Sequence, residues 1–264
     1  MRLLINLLLN ILTEILKLNV SIKRGNKFLS CENITKYGEI LNPTTNYDVD
    51  IDIENGESAW NDGPTFLHNI NFSVKTGTLY AIAGPTGSGK SSLLAAILGQ
   101  MTHKGGKIGT ASKRMAYVSQ EAWIQNKTIR ENILFGRPMD PSLYRKVIQS
   151  RALKDNFWIP PEGDSTMIGE NGVNLSGGRK QRISLARAVY SNADIYLLDD
   201  CLSAVDVHVG SHLTECVLGR QGILAGKTRV MVTHMCSRKQ LNQGFNLSDT
   251  RSYNRKRGHD WRNG

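Results

Sequence analysis

Hydrophobic residues occur along the chain in two patterns that are typical of β-strands: alternation with polar residues, and short unbroken runs. Alternation covers Asp48–Glu54, and it recurs at Ile70, Phe72 and Val74. Unbroken runs predict buried strands at three further places: Leu79–Ala83, Ile195–Leu198 and Arg229–Thr233.

Three segments between and after these strands have the pattern of helices: Ser91–Leu98, 140–155 and Arg179–Tyr190. Gly99 follows the first of them and is a typical residue to end a helix. Because strands alternate with helices, the sequence predicts an α/β fold. Its 264 residues suffice for one large domain or two small ones.

Residues 1–19 are rich in Leu and Ile, yet they contain no apolar run longer than three residues. Polar residues recur there every three or four positions and form a stripe on a helix: Arg2, Asn6, Asn10, Thr13 and Lys17. The pattern favours an amphipathic helix over a signal peptide or a membrane span of about 20 apolar residues. Residues 20–46 are polar and irregular, and they predict a linker.

The formal net charge is +10, and half of it lies in residues 237–264. This segment has few large apolar residues, so it predicts a basic, disordered tail. A nucleic-acid-binding domain needs its basic residues on a folded face, so no nucleic-acid partner is expected. The four cysteines form no CxxC pair and no zinc-site spacing, which predicts free thiols.

Residues Gly84–Ser91 read GPTGSGKS and match the phosphate-loop pattern GxxxxGK[ST] between a predicted strand and a predicted helix. Glycines let the main chain approach phosphate oxygens, and the helix N-terminus adds a partial positive charge. Lys90 brings a full charge to the β- and γ-phosphates, and Ser91 offers a hydroxyl to Mg²⁺. The predicted nucleotide ligands in this segment are Gly84, Pro85, Thr86, Gly87, Ser88, Gly89, Lys90, Ser91 and Ser92.

A second acidic motif accompanies this loop. The apolar run from Ile195 ends at Asp199, and a carboxylate at a strand tip can hold Mg²⁺ directly or through water. ATP and Mg²⁺ are therefore the expected ligands, with Ser91 and Asp199 on the metal.

Between the two motifs, Leu175–Arg179 reads LSGGR immediately before a predicted helix. This combination resembles the ATP-binding domain of ABC transporters, whose signature motif is LSGG. The resemblance implies a P-loop NTPase domain of the ABC type over residues 47–236. Its mixed sheet core would carry helices and an inserted α-helical subdomain at about residues 121–180. The signature residues would contact ATP bound to a partner domain: Leu175, Ser176, Gly177, Gly178 and Arg179.

The resemblance implies roles for further motifs in their order along the chain. Gln120 ends a Q-loop and would contact Mg²⁺ and the attacking water, and Trp60 would stack on adenine. His234 matches the switch histidine and, with Asp200, Gln120 and Lys90, completes the expected catalytic group. The D-loop would comprise Ser203, Ala204, Val205 and Asp206.

Residues 20–235 are similar to the first nucleotide-binding domain of multidrug-resistance-associated (subfamily C) transporters. EAWIQN at 121–126 and RENILFG at 130–136 carry much of this likeness. The resemblance implies ATP-driven export of organic anions, conjugates or xenobiotics at the cytoplasmic face of a membrane. The partners would be transmembrane domains and a second nucleotide-binding domain, and residues 1–19 would end the last helix of a transmembrane domain.

Three positions depart from the family pattern: Asp200 replaces the usual general-base Glu, Arg179 replaces Gln, and Cys201 replaces Pro. Because Asp is one methylene shorter, the resemblance implies slow turnover of ATP bound to this chain. The likeness stops after Met235, which is the pattern of a fragment. Two alternatives remain open: a soluble ABC ATPase acting on nucleic acid or ribosomes, and a non-functional remnant.

Overall fold

The computed structural model describes eleven stretches of the chain: residues 2–30, 39–40, 48–61, 63–111, 113–149, 163–169, 175–203, 210, 214–219, 221–234 and 250–252. The chain divides into two compact units, Met1–Lys36 and Tyr37–Gly264. The described part of the first unit is a single helix, and the strands that the structure describes all lie in the second unit.

The first unit consists of helix α1, Arg2–Leu29, in which no residue is buried. The helix was expected to end at residue 19, but it continues through ten residues of the predicted linker. No proline interrupts residues 20–29, one Gly inside a helix costs only about 1 kcal/mol relative to Ala, and Lys27 lies favourably in the last turn. By length and composition, α1 could cross a membrane. Signal sequences and the core helices of soluble proteins can have the same length and composition.

The second unit contains two sheets, and the first has the order β1-β5-β2-β3. Its strands are β1 Glu39–Ile40, β2 Val49–Ala59, β3 Thr65–Lys75 and β5 Thr102–Thr110. β2 is antiparallel to both neighbours, and Ile53 lies opposite Phe72 of β3 and Ile108 of β5. All three side chains are buried, which explains the alternation seen in the sequence.

The second sheet is entirely parallel and has the order β6-β7-β8-β4-β9. Its strands are β4 Leu79–Ala83, β6 Met115–Val118, β7 Ile195–Asp199, β8 Thr228–Thr233 and β9 Thr250–Ser252. β7 is buried along its whole length, as expected for a parallel strand covered on both faces. Because all five strands run the same way, their carboxyl ends meet at one edge.

The described part of the second unit contains four α-helices: α2 Lys90–Ile97, α3 Ile129–Leu134, α4 Pro141–Gln149 and α5 Gly177–Tyr190. A 3₁₀ turn occupies Gly163–Ser165, and a π-helical turn occupies Thr214–Leu218. The last three helices are inserted between β6 and β7. α3 begins with a reciprocal capping box between Thr128 and Glu131, which accounts for so short a helix being stable.

A buried carboxylate connects the two sheets. Asp50 of β2 is 1% exposed and accepts hydrogen bonds from Thr76, Lys113 and Thr228. Thr228 begins β8, and its hydroxyl oxygen also accepts the N–H of Gly77 at 2.7 Å. Burial of the charge is therefore compensated by one cation and two hydroxyls, as a buried carboxylate requires.

The structure corrects one further expectation, for the segment after residue 236. Thr250–Ser252 was expected to be disordered, but it forms β9 and pairs with β4 from Ala81 to Ala83. Without it, β4 would be an edge strand with unpaired main-chain groups, and these can bind an extended segment whatever its side chains. The other residues of the predicted tail, and residues 150–155 of the helix predicted at 140–155, lie outside the described part.

Candidate nucleotide-binding site

Four strands of the parallel sheet direct the sequence motifs to the same edge. Gly84 follows β4, Gln120 follows β6 by two residues, Asp199 ends β7, and His234 follows β8. The pairing registers align these ends, since Val118 lies beside Leu198 and Asp199 beside Val232. In open α/β sheets, ligands bind outside the carboxyl ends of the strands.

The phosphate loop has the conformation that its glycines permit. Gly87 and Gly89 have φ angles of 77° and 90°, a region that residues with side chains rarely adopt. A Cβ at Gly87 would meet nothing within 4 Å, so the main chain is open there to an incoming group. Gly89 precedes α2, whose first turn has no side-chain cap, so its N–H groups are available to an anion.

Lys90 lies under this loop and is 5% exposed. Its Nζ donates to the carbonyl oxygens of Gly84 and Pro85, both at 2.8 Å, and contacts Ser88 Oγ at 3.3 Å. Burial lowers the pKa of Lys90, and the nearby Asp200 and Asp199 oppose that shift. The residue is thus a buried cation fixed by the loop that it serves.

Ser91 and Asp199 form an oxygen pair at the centre of the edge. Ser91 Oγ donates to Asp199 Oδ1 at 2.8 Å, and the hydroxyl of Tyr117 donates to Oδ2 at 3.2 Å. Burial raises the pKa of Tyr117 to about 12, and Asp199 adds to the shift. Tyr117 therefore remains a proton donor to this carboxylate at neutral pH.

This donor set fits Mg²⁺, which prefers oxygen ligands and in nucleotide sites takes few from the protein and more from phosphates and water. The described residues contain no group of three or more His, Cys, Asp or Glu that could hold a metal ion.

Asp200 and His234 form a second contact beside this pair. Asp200 has a left-handed φ of 42° and is 5% exposed, and its Oδ2 lies 3.4 Å from His234 Nε2. His234 Nδ1 lies 3.4 Å from Lys90 Nζ. Because an ammonium can only donate, Nδ1 accepts, and in the neutral ring Nε2 carries the proton facing Asp200.

Gln120 and the signature residues lie on different elements. The Gln120 side chain is exposed, while its main-chain oxygen accepts a hydrogen bond from Gln181 of α5 at 2.9 Å. Ser176 is the N-cap of α5, but its hydroxyl makes no capping bond, and Gly177 begins the helix. Leu175 packs against the core, Gly178 and Arg179 are partly buried in the first turn, and Ser176 and Gly177 are exposed.

Trp60 lies in the turn that joins β2 to β3 and is 45% exposed. Two residues just after that turn approach the phosphate loop: a Cβ at Gly89 would lie 3.4 Å from Leu67 and 3.6 Å from Phe66. The hairpin that carries Trp60 therefore flanks the loop. Of the predicted D-loop, Ser203 is described and its hydroxyl donates to Asp200 O at 2.9 Å, whereas Ala204, Val205 and Asp206 lie outside the described residues.

A polar cluster between α3 and α5 was not predicted from the sequence. Asn132 of α3 is fully buried, and its Nδ2 donates to the carbonyl oxygens of Gln125 and Thr128, each at 3.0 Å. Arg187 of α5 donates to Asn132 O at 2.8 Å and to Trp123 O at 2.9 Å. Both helices contain several other polar residues, so the sequence offers no clear signal for such a cluster.

Comparison with known proteins agrees with this geometry. The model of the ABC transporter family matches residues 67–203, which is half of the chain, and the chain belongs to that family. The fold is accordingly that of an ABC-type P-loop NTPase domain, and domains of this family bind ATP and hydrolyse it.

Similar relatives place the chain in subfamily C. It is 46% identical over 235 residues to human ATP-binding cassette sub-family C member 3, covering 89% of this chain and 15% of the relative. It is 47% identical over 221 residues to multidrug resistance protein mrp-7 of Caenorhabditis elegans, covering 81% and 14%. It is 44% identical over 223 residues to rat ATP-binding cassette sub-family C member 2, covering 84% and 14%. The chain thus spans about 15% of the length of these relatives.

Proposed function

We propose that this chain binds ATP with Mg²⁺ at the carboxyl edge of its parallel sheet, as the first nucleotide-binding domain of an exporter. The observation that carries the proposal is the joining of the phosphate loop to the acid-tipped strand. Ser91 Oγ and Asp199 Oδ1 are 2.8 Å apart although the residues are 108 positions apart in sequence. Two oxygen ligands are therefore preassembled beside the buried ammonium of Lys90.

Each loop residue contributes to phosphate binding through the main chain or a side chain. The main-chain N–H groups between Gly84 and Ser92, all except that of Pro85, would surround the phosphate oxygens, and the N-terminus of α2 adds its partial charge. Lys90 exchanges neutral carbonyl acceptors for charged phosphate oxygens, which are stronger hydrogen-bond acceptors. Gln120 extends from the neighbouring strand end toward the same metal. Trp60, exposed in the flanking hairpin, stacks on the adenine ring.

ATP supplies a phosphoanhydride bond that water can cleave, and this chain's residues position and activate that water. Asp200 is the candidate general base, and His234 Nε2 lies 3.4 Å from its Oδ2. Asp200 is shorter than the Glu usual in the family and its main chain is held by Val232 and Ser203, so its reach is limited. We therefore propose slow turnover at this site, with faster turnover at the site that this chain's signature completes on the partner.

The exposed end of α5 supports that second role. The Ser176 hydroxyl and the first N–H groups of the helix are not consumed by a side-chain cap, so they can bind the γ-phosphate of ATP on a partner domain. The partners proposed here are a second nucleotide-binding domain and the transmembrane domains of the same transporter, at the cytoplasmic face of a membrane. The proposed cargo is organic anions, conjugates or xenobiotics.

The α1 helix is consistent with a chain connected to a membrane domain. Its 28 residues carry exposed apolar side chains on most of their surface, and Arg2, Thr13 and Lys17 fall on the polar stripe. We propose that α1 belongs to the end of a transmembrane-domain helix, where the polar stripe faces water or other polar groups.

Equilibrium binding of Mg·ATP to the 264-residue chain tests the nucleotide site. Lys90→Ala should weaken binding by about a hundredfold or more, because a charge-assisted contact to phosphate is lost within a low-dielectric site. Lys146→Ala, an exposed lysine on α4, is the matched control and should bind as the wild type does. Equal binding by wild type and Lys90→Ala would exclude this loop as the site.

The adenine contact needs a separate variant. Trp60→Ala should weaken ATP binding about tenfold, since one base–aromatic stack contributes roughly 1–3 kcal/mol. Inorganic triphosphate, which has no base, should bind Trp60→Ala and wild type equally. If triphosphate binding falls as much as ATP binding, Trp60 acts on the fold and not on adenine.

A further inference from the structure

Gln181 has a set of contacts that the proposed function does not explain. It lies in the second turn of α5, two residues after the last signature residue Arg179, and is 2% exposed. Its Nε2 donates to Ser119 O at 3.1 Å and to Gln120 O at 2.9 Å. Its Oε1 has no hydrogen-bond partner among the described residues. Burying a polar side chain is unfavourable unless hydrogen bonds to its surroundings compensate for the lost water contacts.

The two carbonyl groups that Gln181 contacts belong to the turn that leaves β6. Both amide hydrogens of Gln181 are used, one for each carbonyl, so the orientation of the amide is determined by its neighbours. A residue of the signature helix therefore fixes the main chain of Gln120, from 61 positions away in sequence. The exposed Gln120 side chain therefore projects from a main chain whose carbonyl group is held by Gln181.

We infer that Gln181 is a positioning residue for Gln120: it holds the Gln120 main chain so that the side chain reaches the metal of the nucleotide site. The inference rests on the proposed function, since it assumes that Mg²⁺ and ATP bind at Ser91 and Asp199. Because Gln181 follows the signature residues on the same helix, movement of that helix changes the place of Gln120. Gln181 thus connects the ATP site of this chain to the signature residues, which would contact ATP bound to a partner domain.

The rest of α5 anchors a different part of the same segment. Arg187 donates to Trp123 O and Asn132 O, and its guanidinium lies 4.8 Å from the Phe135 ring centroid. These contacts hold the chain beyond the Gln120 turn. Loss of Arg187 should therefore reduce stability without altering the metal, which makes it a matched control on the same helix.

The test measures how much Mg²⁺ increases the ATP affinity of the 264-residue chain, by comparing titrations with Mg²⁺ and with EDTA. Gln181→Met keeps an unbranched side chain of similar length but removes both donors. We expect it to reduce the Mg²⁺-dependent gain in affinity roughly tenfold, a common effect of losing an outer-shell partner of a metal ligand. Gln120→Ala should reduce the gain similarly, and the double variant should lose no more than either single variant.

Arg187→Met should lower the melting temperature and leave the Mg²⁺-dependent gain unchanged. The inference is overturned if Gln181→Met retains the Mg²⁺-dependent gain within about twofold. It is also overturned if the double variant loses as much of the gain as the two single variants lose together. Retention of the gain by Gln120→Ala would also overturn it. A wild type that binds no nucleotide contradicts the proposed function itself, whereas binding that depends on Lys90 but not on Gln181 contradicts only the inference.

A second measurement does not depend on the folding of a Gln181 variant. The side-chain amide resonances of Gln181 in isotopically labelled protein should shift when Mg²⁺ is added to the ATP-bound chain. The shift should disappear in Gln120→Ala, which leaves Gln181 and its carbonyl partners in place. An unchanged Gln181 resonance in the wild type, or an equal shift in Gln120→Ala, would contradict the inference.

Discussion

The two sides of the candidate site are built by different means. The phosphate loop between β4 and α2 is shaped by its own glycines and by Lys90, whose carbonyl partners lie five and six residues away. The segment that follows β6 is held by side chains of α5, which lie some 55 to 64 residues further along the chain. One side is therefore determined locally and the other only after the domain has folded.

This difference predicts which property, ligand binding or folding, a mutation on each side should impair. A change in the locally built loop should affect ligand binding more than folding. A change in the remotely held segment should affect folding first, because several buried main-chain groups share the lost partner.

The largest expected effect is at Asn132. Asn132→Ala removes a fully buried amide that bonds the N–H and the carbonyl group of Gln125 and accepts a hydrogen bond from Arg187 of α5, so it should lower the free energy of unfolding by about 3 kcal/mol. Urea unfolding measures the change, with the exposed Asn126→Ala as the control, which should stay within about 0.5 kcal/mol. A loss below about 1 kcal/mol would show that the segment does not depend on this residue.

Gly89→Ala probes the locally built side. The residue has a φ of 90°, so a side chain there should cost about 1–2 kcal/mol of strain. We expect the loop to relieve that strain by changing shape, with loss of ATP binding and only a small change in unfolding. Comparing ATP titration with urea unfolding separates the two effects, and a variant that unfolds easily but binds normally when folded would refute this view of the loop.

Asp200→Glu measures whether the length of the side chain at residue 200 limits ATP hydrolysis. In an assembly with a second nucleotide-binding domain, the longer carboxylate should raise single-turnover hydrolysis at this chain's site about tenfold, because it extends toward the attacking water. Asp200→Asn, which cannot accept the proton, should show no such gain. Equal rates in wild type and Asp200→Glu would mean that carboxylate reach does not limit turnover.

The smallest effect concerns pH. Burial opposes ionisation of Asp164, but hydrogen bonds from Arg130 and Tyr144 outweigh it and lower its pKa. Since the pKa of Asp164 is depressed in the folded protein, the ionised carboxylate stabilises the fold fully above the ordinary carboxyl pKa of about 3.9. That stabilisation is lost as the pH falls through the folded-state pKa. Asp164→Asn should therefore be less stable than wild type at pH 7, and the gap should shrink by pH 3. A gap that does not depend on pH would mean that the charge plays no part.

The same contrast between local and remote determinants explains what the sequence could predict. Leu79–Ala83 was predicted with its observed bounds, since a buried parallel strand leading to a glycine loop has a local pattern. β5, by contrast, was missed because THKGGKIGT has three glycines and no clear alternation. It is a strand through its pairing with β2, where Ile53 lies opposite Ile108.

The candidate site shows the same division. Lys90, Ser91, Asp199, Asp200 and His234 were predicted from motifs, and the structure brings all five together. Gln181 and Asn132 were not predicted, because most of their partners are main-chain groups that any residue can supply. Sequence motifs identify side chains that meet a ligand, whereas residues that position main chain leave a weaker signal.

Binding of ATP at the carboxyl edge of the parallel sheet is best measured by the melting temperature of the 264-residue chain with and without Mg·ATP. If the edge of the parallel sheet binds the nucleotide, a concentration about 100-fold above the dissociation constant should stabilise the wild type by about 2.7 kcal/mol. Lys90→Ala should show no such stabilisation at the same concentration. No shift in the wild type, or an equal shift in Lys90→Ala, would contradict the assignment of this edge as the ATP site.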